Sequence, residues 1–387
     1  MKRNHQIKQA PPKWGWDGSA EHLPIGVFGA TRPASRTVGK AGPALATRPR
    51  FRSLLVPVDG TPFGEHALPL ALGIARRAGA EVQVVHVHRP MRSSFQTTFQ
   101  PDRLDSESDL DVFLRERQEA YLDDLIRRLR RVADVPVRPV FLQGWQVVDE
   151  LCAAASAGTD LVVMATHGRG LLGRLWSGSV ADALMRRLSV PLLLARGYDA
   201  PVDLTGDPVP RHVLVPLDGS ELAATVLEPA LALGALADAD HTLLQVVPTE
   251  PGGPTSGAAP LIRPRREEAS DHLRRALDRW EGLKPRVRRC IVYEERPGAA
   301  AILDHARAHD ADLIAMATSG RGGLTRLLRG DVTDEVVRNA EVPVLVYRSN
   351  AEHPEEKPCE EESRESGASA RRDGFSTCSS RGSEHPQ

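Results

Sequence analysis

One block of sequence occurs twice in this chain, and that repeat limits the fold more than any other feature. "MATHGRGLLGRLWSGSVADALMRRLSVPLLLA" spans residues 164–195, and "MATSGRGGLTRLLRGDVTDEVVRNAEVPVLVY" spans residues 316–347. The copies share their apolar spacing, but Gly178-Ser179 in the first becomes Gly330-Asp331 in the second. With 387 residues, the chain is long enough for two ordinary domains. We therefore expect two copies of one domain.

The spacing of apolar residues switches repeatedly between strand and helix periods. In the first copy it predicts strands at 53–59, 81–88, 137–143, 160–166 and 190–195, with helices at 63–79, 106–132, 147–157 and 180–188. The order begins again at residue 212, with further strands at 241–247, 286–295, 312–318 and 342–347 and a charged helix at 264–282. Near-continuous apolar strands that alternate with helices are typical of a parallel sheet covered on both faces. The prediction is an α/β fold made of two five-stranded parallel sheets.

Composition divides the rest of the chain. Residues 1–50 and 349–387 are polar, lack a sustained period and are expected to be a disordered leader and a disordered tail. Domain 1 is expected at 51–197 and domain 2 at 211–348. Between them, residues 198–210 form a proline-containing linker, predicted to be a short and semi-extended tether.

Charge and cysteine content exclude several classes of protein. The 50 basic and 51 acidic residues nearly cancel, which argues against a basic nucleic-acid binder. The four cysteines have no CxxC spacing, so neither a zinc site nor a disulfide framework is expected. No apolar run reaches the roughly 18 residues that a membrane span needs, and no secretory signal is evident. The expected location is the cytoplasm, with neither a nucleic acid nor a membrane as partner.

The repeated polar residues sit where α/β sheets bind ligands. Asp59 and Asp218 follow the first strand of each copy, and a glycine-rich loop follows the fourth, so both flank the crevice at the carboxyl ends of the strands. Gly168 lets backbone approach an anion, and Gly178-Ser179 places amides and a hydroxyl at a helix N-terminus. One interpretation is a phosphate cradle. The other is ordinary turn and N-cap chemistry, in which serine and aspartate serve equally well.

The sequence also resembles a known family at these positions. "VPVDGT" and "VPLDGS" at the first strands, "VHVH" at the second strand, and the repeated fourth-strand, loop, helix and fifth-strand block resemble the universal stress protein family, as a tandem two-domain member. The resemblance implies a Rossmann-like, adenine-nucleotide α-hydrolase-like fold. It also implies that one branch binds ATP through a loop of the form G-x2-G-x9-G-(S/T), often in dimers joined by fifth strands.

The family's ATP site is carried over to this chain by matching positions. In domain 1 the resemblance implies these ATP-binding residues: Pro57, Val58, Asp59, Val87, Met164, Ala165, His167, Gly168, Gly178, Ser179 and Val180. In domain 2 the matching positions are Pro216, Leu217, Asp218, Val246, Met316, Ala317, Gly320, Gly330, Asp331 and Val332. Alanine stands at 165 and 317 in place of the loop's first glycine, and Asp331 replaces the serine, so the second site is expected to be degenerate.

Three functional hypotheses follow from these residues. The first is a nucleotide-binding stress or signalling module that uses ATP, with Mg or Mn between the phosphates, and has no conventional active site. The second is a nucleotide-independent interaction scaffold, and the third is a weak ATPase. No catalytic residue is assigned, since no carboxylate can be placed beside His167 and His86 is expected to be a satisfied sheet residue. No metal site made of protein ligands alone is predicted. The two domains are expected to form an internal pseudo-dimer through "VPLLLA" and "VPVLVY", and a homodimer stays open.

Overall fold

The apolar runs of both repeats form strands of one ten-stranded sheet. In this computed structural model the described residues are 51–91, 109–167, 179–198, 200–249, 259–278, 286–296, 298–318 and 330–348. The strands are β1 Ser53–Pro57, β2 Glu81–His88, β3 Val137–Gln143, β4 Leu161–His167, β5 Leu192–Gly197, β6 His212–Pro216, β7 Asp240–Pro248, β8 Arg286–Glu294, β9 Leu313–Thr318 and β10 Val344–Arg348. The expected leader and tail lie outside the described residues.

Helices connect the strands on both faces of the sheet. They are α1 Leu68–Ala78, α2 Asp109–Val132, α3 Val147–Ser156, α4 Ser179–Arg187, α5 Glu221–Ala224, α6 Leu227–Ala235, α7 Ala259–Asp278, α8 Gly298–Ala308 and α9 Gly330–Asn339, with a 3-10 turn at Gly64–Ala67. Helix α7 begins about one turn before the predicted start at Pro264 and ends four residues before the predicted end. Strand β1 ends two residues earlier than predicted, which leaves Asp59 in the loop that follows.

The sheet has two halves with the same internal order. The order is β3-β2-β1-β4-β5-β10-β9-β6-β7-β8, so β1–β5 form the first half and β6–β10 form the second. All neighbours within a half are parallel. The predicted fold class, a parallel α/β sheet built twice with helices on both faces, is therefore confirmed.

The halves meet through their fifth strands. Strands β5 and β10 pair antiparallel, with Leu193 opposite Leu345 at the centre and Leu192 opposite Val346. Leu193 and Leu345 hold equivalent places in "VPLLLA" and "VPVLVY", and both are fully buried. Because equivalent residues face each other, the pairing is reciprocal about its centre. It also covers two apolar strand edges that would otherwise be exposed.

Two hydrophobic cores lie on opposite faces of the continuous sheet. One contains Leu72 of α1 and Leu125 of α2 together with Leu231 of α6 and Leu273 of α7. The other joins residues of α3 and α4 to residues of α8 and α9. Each core thus spans both halves, and burial of apolar surface holds the halves in one unit.

The linker is docked rather than loosely extended. Asp207 accepts hydrogen bonds from Arg76 (3.0 Å) and, in bidentate geometry, from Arg77 (2.9 and 2.8 Å) on α1. These arginines hold the pKa of Asp207 down at about 2. Gly73 permits the contact, because a Cβ there would overlap the carbonyl oxygen of Pro208. The sequence predicts a tether from proline content, but pairing of oppositely charged side chains across about 130 positions fixes its path.

Candidate functional site

The loops after β1 and β6 have the same geometry. Asp59 Oδ1 accepts hydrogen bonds from the amide (3.0 Å) and hydroxyl (2.6 Å) of Thr61, and Gly60 has φ +87°. In the second half, Asp218 Oδ1 accepts from the amide (2.9 Å) and hydroxyl (2.6 Å) of Ser220, and Gly219 has φ +88°. Glycine is favoured at this left-handed position because it has no Cβ. Both loops are therefore rigid turns at the carboxyl edge of the sheet.

A cavity of about 460 Å³ opens beside the first of these loops. Its walls come from the ends of β1, β2 and β4, from α2 and α3, and from the first turn of α4. Seven of the residues assigned to the first ATP site line it: Pro57, Val58, Asp59, Val87, Met164, Ala165 and Val180. The structure thus brings together residues that lie up to 123 positions apart in the sequence.

The remaining four assigned residues of this site cannot be placed in the cavity. Gly168 and Gly178 lie outside the described residues. His167 is the last residue of β4 and Ser179 is the first residue of α4, so only their backbones are described. Because α4 starts at Ser179 and its Val180 and Ala181 line the cavity, the N-terminal end of this helix lies at the cavity wall.

The sequence interpretation missed a polar wall of this cavity. His86 lines it, although it was expected to be a satisfied residue of the sheet. Its Nδ1 lies 3.0 Å from the carbonyl oxygen of Val58, while Nε2 is buried without a hydrogen-bond partner among the described residues. The ring stacks on Phe141 with centroids 5.8 Å apart. A carbonyl oxygen can only accept, so Nδ1 carries the proton in this contact and Nε2 of the neutral ring carries a lone pair. The expectation of a satisfied histidine therefore holds for Nδ1 but not for Nε2 among the described residues.

A buried charged network lies beside the same loop. The carboxylate of Glu65, only 4% exposed, accepts two hydrogen bonds from Arg128 (2.9 and 2.7 Å) and one from the Tyr121 hydroxyl (3.0 Å). The bond to Glu65 raises the pKa of Arg128. Burial, followed by the charge of Glu65, raises the pKa of Tyr121. The network holds the Gly64–Ala67 turn against α2 and so fixes one side of the cavity.

A second buried pair anchors the other end of α2. His88 Nδ1 lies 2.8 Å from Gln118 Oε1, and its Nε2 lies 3.4 Å from Asp111 Oδ2. The Met91 amide donates to Asp111, and this bond, with a smaller contribution from His88, lowers the pKa of the Asp111 carboxyl. Gln118 also lines the cavity, so the His88 contact positions a wall residue.

The assigned residues of the second half occupy matching places in the fold. Pro216 ends β6, Val246 lies in β7, and Met316 and Ala317 lie in β9. Leu217 and Asp218 follow β6, and Val332 in α9 packs with the second core. Gly320 lies outside the described residues, and the side chains of Gly330 and Asp331 at the start of α9 are not described.

A smaller cavity, about 290 Å³, lies beside the loop after β6. Of the residues assigned to the second ATP site, Leu217 is found in the described lining of this cavity. Most of the wall comes from α5 and α7. It therefore sits on the α7 side of the loop. This cavity differs in position and in lining from the 460 Å³ cavity of the first half.

The described parts of the chain contain no cluster of three or more His, Cys, Asp or Glu side chains suited to a metal ion. Among the helices described there, none combines the length and apolar character needed to cross a membrane.

Comparison with known proteins identifies the family. The sequence model of the "Universal stress protein family" matches residues 50–196 and again residues 210–348. The chain belongs to the universal stress protein family. Its two family domains correspond to the two halves of the sheet.

Individual relatives agree with this membership. A universal stress protein of Mycobacterium tuberculosis is 33% identical over 198 residues, which cover 49% of this chain and 62% of that relative. The chain thus spans less than two thirds of the length of that relative. Another universal stress protein of the same organism is 25% identical over 310 residues, covering 76% of this chain and 94% of the relative.

A solved structure has the same fold. The crystal structure of a universal stress protein from Archaeoglobus fulgidus aligns with a TM-score of 0.52 at 20% identity, covering 77% of this chain and 96% of that one. At this identity, the similarity concerns the architecture only.

Proposed function

We propose that the first half of this universal stress protein binds ATP in the 460 Å³ cavity, with Mg or Mn between the phosphates, and acts as a stress-response or signalling module without a conventional active site. The observation that carries the proposal is the meeting of β1, β2, β4 and the first turn of α4 around one cavity. In open α/β sheets, ligands bind at this carboxyl edge. The volume lies within the range of about 300 to 1,000 Å³ typical of small-molecule sites.

Charge supports an anionic group at one end of the cavity. The first turn of α4 forms part of the wall, and a helix N-terminus offers unpaired amides and a partial positive charge of roughly 0.5. Phosphates would lie there, with Ser179 and the preceding glycines as their proposed ligands. The base would lie two strands away against Val87 of β2, at about 10 Å given the usual spacing between strands.

The cavity wall near Asp59 suits the sugar or base. Since Oδ1 of Asp59 is held by Thr61, the carboxylate has a fixed direction, and its second oxygen has no donor among the residues that the structure describes. The apolar residues Val87, Met164 and Val180 supply the remainder of a base pocket. No pair of nucleophile and base is assigned, so hydrolysis, if it occurs, is expected to be slow.

The second half is proposed to have largely lost the triphosphate. Asp331 stands at the position of Ser179, and a carboxylate there would compete with phosphate for the start of α9. We also interpret the reciprocal pairing of β5 and β10 as an internal pseudo-dimer, and we keep the cytoplasm as the proposed location.

The decisive experiment combines two measurements on the full chain. Protein purified from cells and then denatured should release adenine nucleotide, and calorimetry should show ATP binding. Ala165→Leu adds three carbons to the cavity wall and should weaken ATP binding at least about a hundredfold. The matched control, Ala317→Leu, makes the same change in the second half and should leave the high-affinity site intact.

Two results would overturn this function. No binding at millimolar ATP would favour the nucleotide-independent scaffold, which the alanines at positions 165 and 317 would then explain. Equal ATP affinity in wild type and Ala165→Leu would show that ATP binds outside the proposed cavity.

A further inference from the structure

The buried ion pair of the first half is absent from its repeat. Asp59 and Asp218, and likewise Leu68 and Leu227, are 159 positions apart, so Ala224 holds the position of Glu65. In the first half, Glu65 meets Arg128 of α2. In the second half, Ala224 faces Ala276 of α7 across the 290 Å³ cavity. Ala224 thus stands where the first domain has a buried carboxylate, and the space beside it is open.

The rim of this cavity carries both signs of charge. Arg275 contributes a guanidinium. Within the described residues, its Nε donates a hydrogen bond to the carbonyl oxygen of Asp271 (3.3 Å) on the same helix. Two carboxylates also lie at the rim, those of Asp278 at the end of α7 and of Glu221 in α5. Glu221 already interacts with another group. A ligand with one charge alone would be attracted by one side of this rim and repelled by the other.

An unpaired nitrogen lies at the same cavity. His272 lines it, and its Nδ1 atom is buried without a hydrogen-bond partner within the described part of the chain. The ring packs so closely on Gly219 that a Cβ there would overlap it. Buried polar atoms are usually hydrogen-bonded, so this nitrogen calls for a partner.

We propose that this cavity of the second half binds small zwitterionic molecules of the α-amino acid class. The ligand carboxylate pairs with Arg275, the ammonium group lies towards Asp278 and donates to it, and Ala224 and Ala276 leave room for the carbon skeleton. The ligand thus supplies both charges that the Glu65–Arg128 pair supplies in the first half. This site is separate from the proposed nucleotide cavity and does not depend on it.

The test uses the full chain and three small probes. Glycine carries both charges, acetate carries only the carboxylate, and methylammonium carries only the cation. The titration is followed through the NMR signals of the His272 ring, which are identified by their loss in His272→Phe. Glycine should saturate these shifts at millimolar concentration. Acetate and methylammonium should each need a concentration at least about tenfold higher. This range is reasonable for a ligand of five non-hydrogen atoms.

Matched variants locate the site. Arg275→Gln should weaken glycine binding about tenfold or more. Arg274→Gln removes the neighbouring guanidinium, which pairs with Asp271 (3.0 Å) outside the cavity, and should change nothing. The double variant Ala224→Glu/Ala276→Arg places a carboxylate and a guanidinium on two residues that line the cavity, fills it and should abolish binding in a folded protein.

Three results would overturn the proposal. Acetate that binds as tightly as glycine would show a simple anion site. Unchanged His272 signals at 100 mM glycine would show that no zwitterion binds. Glycine binding retained by the folded double variant would place any site elsewhere.

Discussion

Beside the loop after its first strand, the first half of the molecule holds Glu65, Arg128 and Tyr121 in one hydrogen-bonded network, whereas the second half holds Ala224 and Ala276 around an open cavity. The loops themselves are nearly identical, with the same Asp-Gly-Thr/Ser turn and glycine φ angles of +87° and +88°. The turn therefore does not depend on the network. This difference shows that the repeat preserves backbone geometry while the side chains that surround it diverge.

The polar ends of the second strands differ in the same way. The strand registers align His86 with Gln245 and His88 with Val247. At the end of its second strand, the first half thus has a histidine in its cavity wall and another that positions Gln118, and the second half has no histidine at either of these two strand positions. We expect the two domains to share a fold and an interface but to bind different ligands.

The largest effect should come from breaking what the halves share. Leu193→Asp or Leu345→Asp places a carboxylate at the centre of the β5–β10 pair, in a fully buried site, at a cost of several kcal/mol. The halves should separate or the chain should precipitate, which small-angle scattering and solubility would show. Ser189→Asp, at an exposed position just before β5, is the control. Wild-type compactness in both leucine variants would contradict the role given to this pair.

The next effect concerns the proposed difference in ATP binding. An ionised carboxylate about 4 Å from a phosphate charge repels it by roughly 4 kcal/mol at an effective dielectric constant near 20. Asp331→Ser should therefore raise ATP stoichiometry from about one towards two per chain, and Ser179→Asp should lower it towards zero. Calorimetry measures both values. Two wild-type sites of similar affinity would refute the asymmetry.

The sequence predicted the features that depend on local pattern. The succession of strands and helices along the chain and the repeated Asp-Gly turn follow from periodicity and from matching one copy to the other. The apolar cavity residues Val87, Met164 and Val180 were instead implied by the resemblance to the family. The registers also place the main loss of residues in the second copy between its second and third strands, since Val82 pairs with Val137 and His241 with Val287. The reason is physical, because loops tolerate deletion better than strands do.

The features that the sequence did not predict depend on distant side chains. Glu65 and Arg128 are 63 positions apart, and in the sequence each is one charged residue among many on a helical stretch. The docking of Asp207 on Arg77 spans 130 positions. No local period indicates which charges will be buried together, because the choice depends on how the helices pack on the sheet. Comparison of Glu65 with Ala224 in the repeat was the available signal for the first pair.

The third prediction tests the buried network itself. Glu65→Ala leaves Arg128 with Asp124 (3.3 Å) as its carboxylate partner on α2. The free energy of unfolding should fall by about 2 to 4 kcal/mol, less than for a fully buried pair, because Arg128 is partly exposed and keeps this second partner. Glu65→Ala/Arg128→Ala removes both charges of the pair together and should recover part of the loss. Urea denaturation measures both, and Glu119→Ala, exposed on α2, is the control.

An independent readout accompanies this series. Glu65 contributes to the raised pKa of Tyr121, so its removal should move that pKa down towards the ordinary value in a spectrophotometric titration. An unchanged unfolding free energy in Glu65→Ala would show that the ion pair does not stabilise the first half.

The smallest effect is a pH dependence that originates in the second half. His305 of α8 is buried, and burial, followed by the neighbouring His309 and His212, lowers its pKa to about 4. The unfolded chain takes up a proton near pH 6.5 while the folded His305 stays neutral, so stability is lost as the pH falls from about 6.5 to 4 and levels off below that. The loss should not exceed about 3.4 kcal/mol, the equivalent of a pKa difference of about 2.5 between the unfolded and folded chain. Carboxyls with lowered pKa values, such as Asp207 at about 2, contribute mainly below about pH 4.5 and so overlap only the acidic end of this window.

The variant His305→Leu separates this contribution from the rest. Leucine keeps the site apolar and cannot take up a proton, so the unfolding free energy of the variant should vary less between pH 6.5 and 4 than that of the wild type. His241, whose pKa burial also lowers, acts in the same direction and accounts for part of the residual slope. His66→Leu, at a half-buried position in the Gly64–Ala67 turn of the first half, is the control for the removal of a histidine elsewhere in the chain. If His305→Leu and wild type have the same slope across this window, His305 is not the group that makes the second half sensitive to acid.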